Sequence, residues 1–453
     1  SLFEPGVDGM IDGQTLVWAG FDGTDTEIYR FNGSTITPIT DNQTSDLTPL
    51  ISGQNIIWAS YDGNDNEIFF YNGSTVTQLT NNKEDDGYYQ ISGANVVWQG
   101  YDGNDNEIFF YDGSTVNQLT NNQADDLLPQ ISGSNVVWSA YDGNDTELFF
   151  YNGSTVTQLT QNTLEDTNPQ IEGQNIVWEQ SGGKDSEIFF YNGVTTTRLT
   201  NNQVRDDQVQ ISGNQAAWLQ HDGNDTEIFF YNGSTVTQLT QNDTDDLDFQ
   251  LLGNTLVWSG YDGKDFEIFF YDGSTTTQIT NNAKNDIYPQ LSDSRIAWLG
   301  YNGTNFNVFF YDGTQIHAVT NTNQDQSSLR LSGSNLAWAG IGGADQGEDR
   351  EIFFANLVSP GLFGFQDQFG FTVSDGVGGN VAGVFGVAIA EVGPVSAAPP
   401  IGIGEEENGI GNEVANEVNN GIANEVANEV NSGIADEVDS GLSIEVDSES
   451  MLG

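Results

Sequence analysis

The chain has 453 residues, with 66 Asp and Glu against 10 Lys and Arg, which gives a formal net charge of −56 at pH 7. This acidity excludes binding to nucleic acid through its phosphates, which needs Lys and Arg. The absence of cysteine excludes disulfides, Cys-ligated zinc and thiol nucleophiles.

An internal repeat dominates the sequence. All nine tryptophans obey one period of 40 residues, and they are Trp18, Trp58, Trp98, Trp138, Trp178, Trp218, Trp258, Trp298 and Trp338. A fixed period of this length is typical of propellers, solenoids and other repeat folds. The length alone suggests about three domains. The repeat predicts one long repeat domain and a tail instead.

Each unit predicts four short strands. In the unit from Pro129 to Asn162 they are Gln130–Ser132, Asn135–Tyr141, Glu147–Tyr151 and Ser154–Thr160, rich in β-branched and aromatic residues. An Asn-Gly or Asp-Gly pair between the third and fourth strands predicts a tight two-residue hairpin. Four antiparallel strands in about 40 residues match one propeller blade, whereas a β-solenoid coil is usually shorter and a sandwich keeps no such period.

The unit also resembles a known repeat family. The run PQISG, a hydrophobic strand, DGNDNEIFFYNG and QLT are similar to TolB-type and PD40 (WD40-like) β-propeller repeats, across about residues 7–356. The chain departs from that pattern by having Ser-Gly, as at Ser92-Gly93, where the family has Ser-Pro-Asp-Gly. The resemblance implies the fold and leaves function open, because propellers serve many roles.

We therefore expect an all-β protein, a β-propeller of four-stranded antiparallel blades with nine 40-residue repeats and eight or nine blades. The ninth unit has an insertion, Gly342–Arg350, and no fourth-strand signature. Three candidates could fill its outer position: Ser1–Glu4, Leu362–Phe371, or a strand from another molecule. Covering that edge is the usual way to prevent unwanted pairing.

Three regions are predicted along the chain. Residues 1–356 form the propeller, residues 357–400 a Gly/Phe/Val-rich linker or added strands, and residues 401–453 an acidic low-complexity repeat tail. No Lys or Arg follows Arg350. The tail is expected to be disordered alone, and the alternative is that it orders against a neighbouring subunit or an envelope partner. No segment is apolar and long enough to predict a transmembrane helix.

One acidic residue recurs in the predicted loop between the fourth strand and the next first strand. Its members are Asp46, Asp86, Asp126, Asp166, Asp206, Asp246 and Asp286, and Gln326 breaks the series. If these loops approach the central channel, the seven carboxylates form a ring that could bind a cation, most plausibly Ca²⁺. The alternative, which we favour, is that each Asp caps backbone amides in its turn.

The hairpins between the second and third strands are acidic as well. Asp102-Gly103-Asn104-Asp105-Asn106-Glu107 is one example. These hairpins resemble calcium loops superficially, but they lack the 12-residue spacing of an EF-hand. Turn formation explains them without a ligand. The tryptophans are interpreted as packing between blades rather than as a sugar-stacking set.

Catalysis has little support, and we expect a protein that is not an enzyme. His221 and His317 occupy non-equivalent repeat positions without evident partners, and no nucleophile elbow or phosphate loop is present. Near-identical blades offer many equivalent surfaces, whereas a catalytic site usually needs loops of its own.

The start at Ser1, the absence of Cys and the acidity lead us to expect a mature, secreted bacterial protein, extracellular or at the cell surface. The first hypothesis is a structural or adhesive module that self-associates or binds an envelope or matrix component, with filaments built by strand exchange. The alternatives are a multivalent lectin that binds glycans, and a propeller-based polysaccharide-active enzyme.

Overall fold

The structure is a computed structural model that describes residues 10–61, 63–183, 185–221, 223, 225–341, 350–357, 367–374 and 380–387. These residues form strands and turns only, which confirms the all-β prediction. No helix in the described ranges is long and apolar enough to cross a membrane. The chain divides into Ser1–Pro394 and Val395–Gly453. The acidic tail and the candidate strand Ser1–Glu4 lie outside the described residues, and the predicted domain boundaries stay predictions.

The strands form nine successive groups of antiparallel strands, here called blades 1 to 9. One parallel pair, Ser186 opposite Arg205, joins blades 5 and 6 into a single sheet. Blades 1 to 3 comprise β1 (Met10–Asp12), β2 (Thr15–Phe21), β3 (Thr26–Phe31), β4 (Ile36–Pro38); β5 (Asp46–Ser52), β6 (Asn55–Tyr61), β7 (Asn66–Tyr71), β8 (Val76–Gln78); and β9 (Asp86–Ser92), β10 (Asn95–Tyr101), β11 (Asn106–Tyr111), β12 (Val116–Gln118). Blades 4 to 6 comprise β13 (Asp126–Ser132), β14 (Asn135–Tyr141), β15 (Thr146–Tyr151), β16 (Val156–Gln158); β17 (Glu165–Glu172), β18 (Asn175–Ser181), β19 (Ser186–Tyr191), β20 (Thr196–Arg198); and β21 (Arg205–Ser212), β22 (Gln215–His221), β23 (Thr226–Tyr231), β24 (Val236–Gln238). Blades 7 to 9 comprise β25 (Asp246–Leu252), β26 (Thr255–Tyr261), β27 (Phe266–Tyr271), β28 (Thr276–Gln278); β29 (Asp286–Ser292), β30 (Arg295–Tyr301), β31 (Phe306–Tyr311), β32 (Ile316–Ala318); and β33 (Gln326–Ser332), β34 (Asn335–Ile341), β35 (Arg350–Asn356), β36 (Asp367–Ser374), β37 (Asn380–Val387).

The second strand carries the core of each blade. Because strand side chains alternate between faces, Trp138 packs toward blade 3, against Val97 and Phe110, whereas Val137 packs toward blade 5. Each tryptophan also stacks on the paired aromatic of the third strand, as Trp138 does on Phe149 with ring centroids 6.0 Å apart. The predicted role of the tryptophans in packing between blades is confirmed.

The ring of blades is closed by the same kind of interface. Leu16, Trp18 and Phe31 of blade 1 pack with Ala337 and Phe354 of blade 9. The Phe31 and Phe354 rings meet edge to face at 4.9 Å. The other blades pack pairwise in chain order. Blade 1 therefore completes the circuit, and the predicted propeller is confirmed with eight four-stranded blades and a ninth that differs at its outer edge.

The ninth blade takes its fourth strand from the same chain. β36 pairs with β35 through Phe353 opposite Phe371 and Phe354 opposite Gly370, and β37 pairs with β36. This strand overlaps the candidate segment Leu362–Phe371, of which residues 367–371 belong to it. Among the described residues, the fourth position is thus occupied without a second molecule.

Two local predictions were wrong. The first strand is longer than Gln130–Ser132, because it also pairs before a β-bulge at Leu128 and Pro129. Leu127 lies opposite Ser139 on one side of the bulge, and Gln130 lies opposite Val137 on the other. The loop between the third and fourth strands has four residues rather than two. In blade 2 the side-chain Oδ1 of Asn72 accepts the N–H of Ser74 at 3.0 Å and of Thr75 at 2.9 Å, and Gly73 takes the positive φ of 91°.

Candidate functional sites

Most of the acidic side chains that sequence reasoning singled out lie on one face of the propeller. In antiparallel blades the hairpin between the second and third strands and the connection to the next blade lie at the same sheet end. Hydrogen bonds join them, as when the Asn106 N–H donates to Asp125 Oδ1 at 3.0 Å. We call the surface formed by these hairpins and connections the acidic face.

The Asp46 series lies at the start of the first strands rather than in the loops, which corrects the predicted position. All seven carboxylates are buried, with 0–5% of each residue exposed. Each lies in its own interface between two blades and bonds to side chains there, so the structure does not gather them into one cluster. Ca²⁺ binding by Asp46, Asp86, Asp126, Asp166, Asp206, Asp246 and Asp286 stays a prediction.

A chain of hydrogen bonds explains why these aspartates recur. Between blades 3 and 4, Glu107 Oε1 accepts the Asn122 N–H at 2.7 Å, and Asn122 Nδ2 donates to Asp126 Oδ2 at 2.6 Å. Asp126 Oδ1 then accepts Trp138 Nε1–H at 2.6 Å. The bond from tryptophan to Asp recurs for Asp46, Asp166, Asp246 and Asp286. The network links the third strand of one blade to the core of the next.

Blade 9 shows that this role does not need a charge. Gln326 stands where the other blades have Asp, and its Oε1 accepts Trp338 Nε1–H at 2.9 Å. Burial raises the pKa of Asp86, Asp126, Asp246 and Asp286 to about 6, against the opposing effect of their hydrogen bonds. The nearby carboxylate of Glu107 also raises the pKa of Asp126. The position therefore has an interface role that a neutral side chain can fill.

A second set of carboxylates clusters at the hairpins between the second and third strands, with a Glu from the third strand and, in blade 1, Asp41 from the connection after β4. Oxygens of Asp102, Asp105 and Glu107 lie within 4.8 Å of one another. The same holds in three other blades, for Asp22, Glu27 and Asp41, for Asp142, Asp145 and Glu147, and for Asp262, Asp265 and Glu267. We call these groups the hairpin clusters. The sequence predicts turns here, and the structure shows such a turn at the first Asp, since Asp142 Oδ1 accepts the Asn144 N–H at 2.9 Å. For the other acids the interpretation stays a prediction.

Blade 6 holds an ionic cluster that the other blades lack. His221 Nε2 lies 3.1 Å from Asp207 Oδ1, and Arg205 Nε lies 2.6 Å from Asp207 Oδ2. His317 Nε2 also lies 3.0 Å from Asp312 Oδ2. The expectation that neither histidine has a partner was therefore wrong. Asp207 is buried between two basic groups, an arrangement that satisfies its charge.

A ring of exposed, blade-specific residues surrounds the axis. The first strands of neighbouring blades contact one another around the whole ring, so they lie nearest the axis. Their bulges present side chains that differ from blade to blade and that have φ between 50° and 55°: Thr48, Tyr88, Leu128, Asn168, Gln208, Asp248, Tyr288 and Ser328. Tyr88 is 65% exposed and Tyr288 is 55% exposed. We call this set the bulge ring.

No protein-family model and no curated protein matches the sequence. Solved structures do. The β-propeller domain of the Trilobed protease from Pyrococcus furiosus is 11% identical with a TM-score of 0.39, and the match covers 62% of this chain and 99% of that one. The computationally designed Ika8 protein is 16% identical with a TM-score of 0.44, over 68% and 97%.

An acylaminoacyl peptidase from Pyrococcus horikoshii is 12% identical with a TM-score of 0.38, and the match covers 65% of this chain and 57% of the peptidase. At such identities these proteins say nothing about activity. The fold follows from the blades themselves: four-stranded antiparallel sheets, a repeated register and a closed series of interfaces make this chain a β-propeller.

Proposed function

We propose that this chain is a secreted, non-enzymatic propeller that serves as a structural or adhesive module at the cell surface or in the extracellular matrix, built from repeats of the TolB and PD40 type. The observation that carries the proposal is the equivalence of the blades. Each interface repeats the same stacked tryptophan and, apart from small variations, the same polar network. Equivalent blades suit a rigid scaffold, whereas catalysis needs groups that converge in one place.

The bulge ring is the surface that we assign to adhesion. Seven of its eight residues are exposed and Ser328 is half-buried, six residue types occur among the eight blades besides the shared Tyr of blades 3 and 8, and all lie on first strands. Rigid aromatic side chains such as Tyr88 and Tyr288 give contact area at low entropic cost. Tyrosine rings also stack on sugars, which favours carbohydrate binding as the second candidate function.

Assembly into filaments is the remaining part of the proposal. Because β36 already occupies the fourth position of blade 9, a strand from a second copy would have to displace it or add beyond β37. Negative-stain microscopy of the full chain distinguishes these states. Filaments support assembly, and single discs at all concentrations contradict it.

Adhesion is tested by binding the full chain to a polysaccharide array and to whole bacterial cells. The variant Tyr88→Ser/Leu128→Ser/Tyr288→Ser should lose binding while it keeps the wild-type melting temperature. The matched control Val76→Ser/Val116→Ser/Val156→Ser, on exposed outer strands, should bind normally. Equal binding by both variants would contradict the role of the bulge ring. Release of soluble fragments from the array would contradict a non-enzymatic function.

A further inference from the structure

The hairpin clusters of blades 3 and 4 hold negative charge that no described side chain beside them neutralises. Asp105 and Asp145 are only 8% and 4% exposed, yet neither carboxylate oxygen of either accepts a hydrogen bond from a described residue. Glu107, two residues after Asp105, is fully buried, and its Oε2 also accepts no hydrogen bond from a described residue. Burying a carboxylate without a partner is strongly unfavourable. The arrangement therefore needs a positive charge within reach of these oxygens.

The surroundings of the clusters do not supply that charge in blades 3 and 4. The charged groups that act on Asp105 are Asp102 and Asp125, and those that act on Asp145 are Glu147, Asp142 and Glu165. All of them are acidic. Burial and these neighbours raise the pKa of Asp105 and Asp145, so each cluster binds a proton more readily than a free carboxylate when no cation is present.

Blade 8 shows that the hairpin itself does not require acids. Asn302, Asn305 and Asn307 stand where blade 4 has Asp142, Asp145 and Glu147. Asn302 Oδ1 accepts the N–H of Thr304 and of Asn305 at 2.9 Å each, and Asn307 Oδ1 accepts the Thr322 N–H at 2.7 Å. Asn305 Oδ1 also has no partner, but it carries no charge. The same turn therefore forms with three neutral amides.

Blade 5 shows what accompanies the loss of one acid. Gly182 replaces the first Asp of the cluster. In this blade Arg198 stands where blades 3, 4, 6 and 7 have Gln, and its Nη2 lies 2.7 Å from Glu187 Oε1. A basic side chain thus supplies positive charge where the cluster is incomplete. In blades 3 and 4 no basic side chain among the described residues takes that place.

The chemistry of the complete clusters fits a hard divalent cation. Ca²⁺ takes six to eight oxygen ligands at about 2.3–2.6 Å, so two oxygens on one ion lie at most about 5 Å apart. The cluster oxygens lie within 4.8 Å of one another. Three carboxylates with several free lone pairs suit Ca²⁺ better than Mg²⁺, which keeps most of its waters and demands an octahedron.

We propose that the hairpin clusters of blades 1, 3, 4 and 7 each bind one Ca²⁺ ion. Blades 2 and 6 have the same three acids in the sequence, although Asp62 and Asp222 lie outside the described residues. The ion holds the hairpin to the following connection, because Glu107 uses Oε2 for the ion and Oε1 for Asn122. Ca²⁺ thereby supports the network between neighbouring blades. The site goes beyond the proposed function and does not depend on it.

The test counts ions on the full chain. After EDTA treatment and desalting, equilibrium dialysis against about 1 mM Ca²⁺ in about 0.5 M NaCl, which screens loosely held counter-ions, should leave four to six Ca²⁺ per chain. The variant Asp142→Asn/Asp145→Asn/Glu147→Asn, which gives blade 4 the residues of blade 8, should bind one ion fewer. The reverse variant Asn302→Asp/Asn305→Asp/Asn307→Glu should bind one ion more.

Two controls make every outcome decisive. Asp112→Asn/Asp272→Asn removes two charges from hairpins outside the clusters, where other blades have Asn, and should leave the ion count unchanged. Circular dichroism and tryptophan fluorescence should match wild type for every variant. The proposal is overturned if fewer than four ions bind per chain, if the blade 4 variant keeps the wild-type count while folded, or if Asp112→Asn/Asp272→Asn loses ions as the blade 4 variant does. A blade 4 variant that does not fold leaves the decision to the blade 8 variant.

Discussion

The hydrogen bond between Trp138 and Asp126 can be isolated with a matched pair of substitutions. Trp138 and Trp218 are both fully buried, and each stacks on a third-strand Phe with ring centroids 6.0 Å apart. Trp138 Nε1–H donates to Asp126 at 2.6 Å, whereas Trp218 Nε1 has no partner. In blade 6 the equivalent Asp206 Oδ1 accepts Gln220 Nε2–H at 2.8 Å instead. The two sites therefore share full burial and the same stacking distance, and they differ in whether the indole N–H has a hydrogen-bond partner.

Trp138→Phe and Trp218→Phe remove about the same packing, so that loss should cancel in their difference. What remains is a hydrogen bond to a buried carboxylate, worth about 1.5–3 kcal/mol. We expect Trp138→Phe to lower the free energy of unfolding by that much more than Trp218→Phe. Guanidinium unfolding at pH 7.5 and one fixed Ca²⁺ concentration, followed by the fluorescence of the remaining tryptophans, gives both values. Equal losses would refute the assigned role of Asp126.

Three further results are expected. Phe354→Ala should lower the free energy of unfolding by about 3–5 kcal/mol. Phe150→Ala, between blades 4 and 5, should do the same, because both interfaces have the same construction. A much smaller loss for Phe354→Ala would contradict ring closure. Gly73→Ala, at φ 91°, should cost about 1 kcal/mol or more, whereas Gly87→Ala, with no atom within 4 Å of its new Cβ, should be neutral. Removing Ca²⁺ with EDTA should lower the melting temperature at pH 7.5, since each site filled at tenfold its dissociation constant contributes about 1.4 kcal/mol.

That loss on EDTA treatment should shrink toward pH 5. A carboxyl whose pKa is higher in the folded chain than in the unfolded chain takes up its proton preferentially when folded, so stability without Ca²⁺ rises as the pH falls toward the unfolded value near 4. Burial raises the pKa of Asp105, Asp145 and Asp265 in this way. Protons and Ca²⁺ then compete for the same oxygens. Melting curves with and without EDTA at both pH values check this, and a loss that does not depend on pH would contradict it.

The fold could be predicted from the sequence because one large side chain marks each repeat. Three local patterns predict the blades: the tryptophan period, the alternation of side chains along the second strand, and the Asn-Gly or Asp-Gly pairs at the turns. The β-bulge could not be predicted in this way. It depends on how the first strand aligns with the second across the sheet, where the register shifts between Leu127 and Gln130. Asp126 belongs to that first strand, and its Oδ1 accepts the indole N–H of Trp138.

The hairpin clusters were visible in the sequence but were interpreted as turns. Asp-Gly-Asn-Asp forms a turn without any ligand, so the pattern alone does not reveal which oxygens are buried and unpaired. Comparison between repeats carried the missing signal. The three acids are all replaced by Asn in blade 8, and the incomplete cluster of blade 5 coincides with Arg198. Because these substitutions occur together, they indicate that the residues at these positions interact through their charges, and not only that they form the same turn.

The most direct test of the account is a crystal structure of the full chain grown with CaCl₂, with anomalous difference density used to locate Ca²⁺. The account predicts peaks beside Asp105, Asp145 and Asp265 and at the blade 1 cluster, with none beside Asn305. A peak beside Asn305, or no peak at any hairpin cluster, would contradict it.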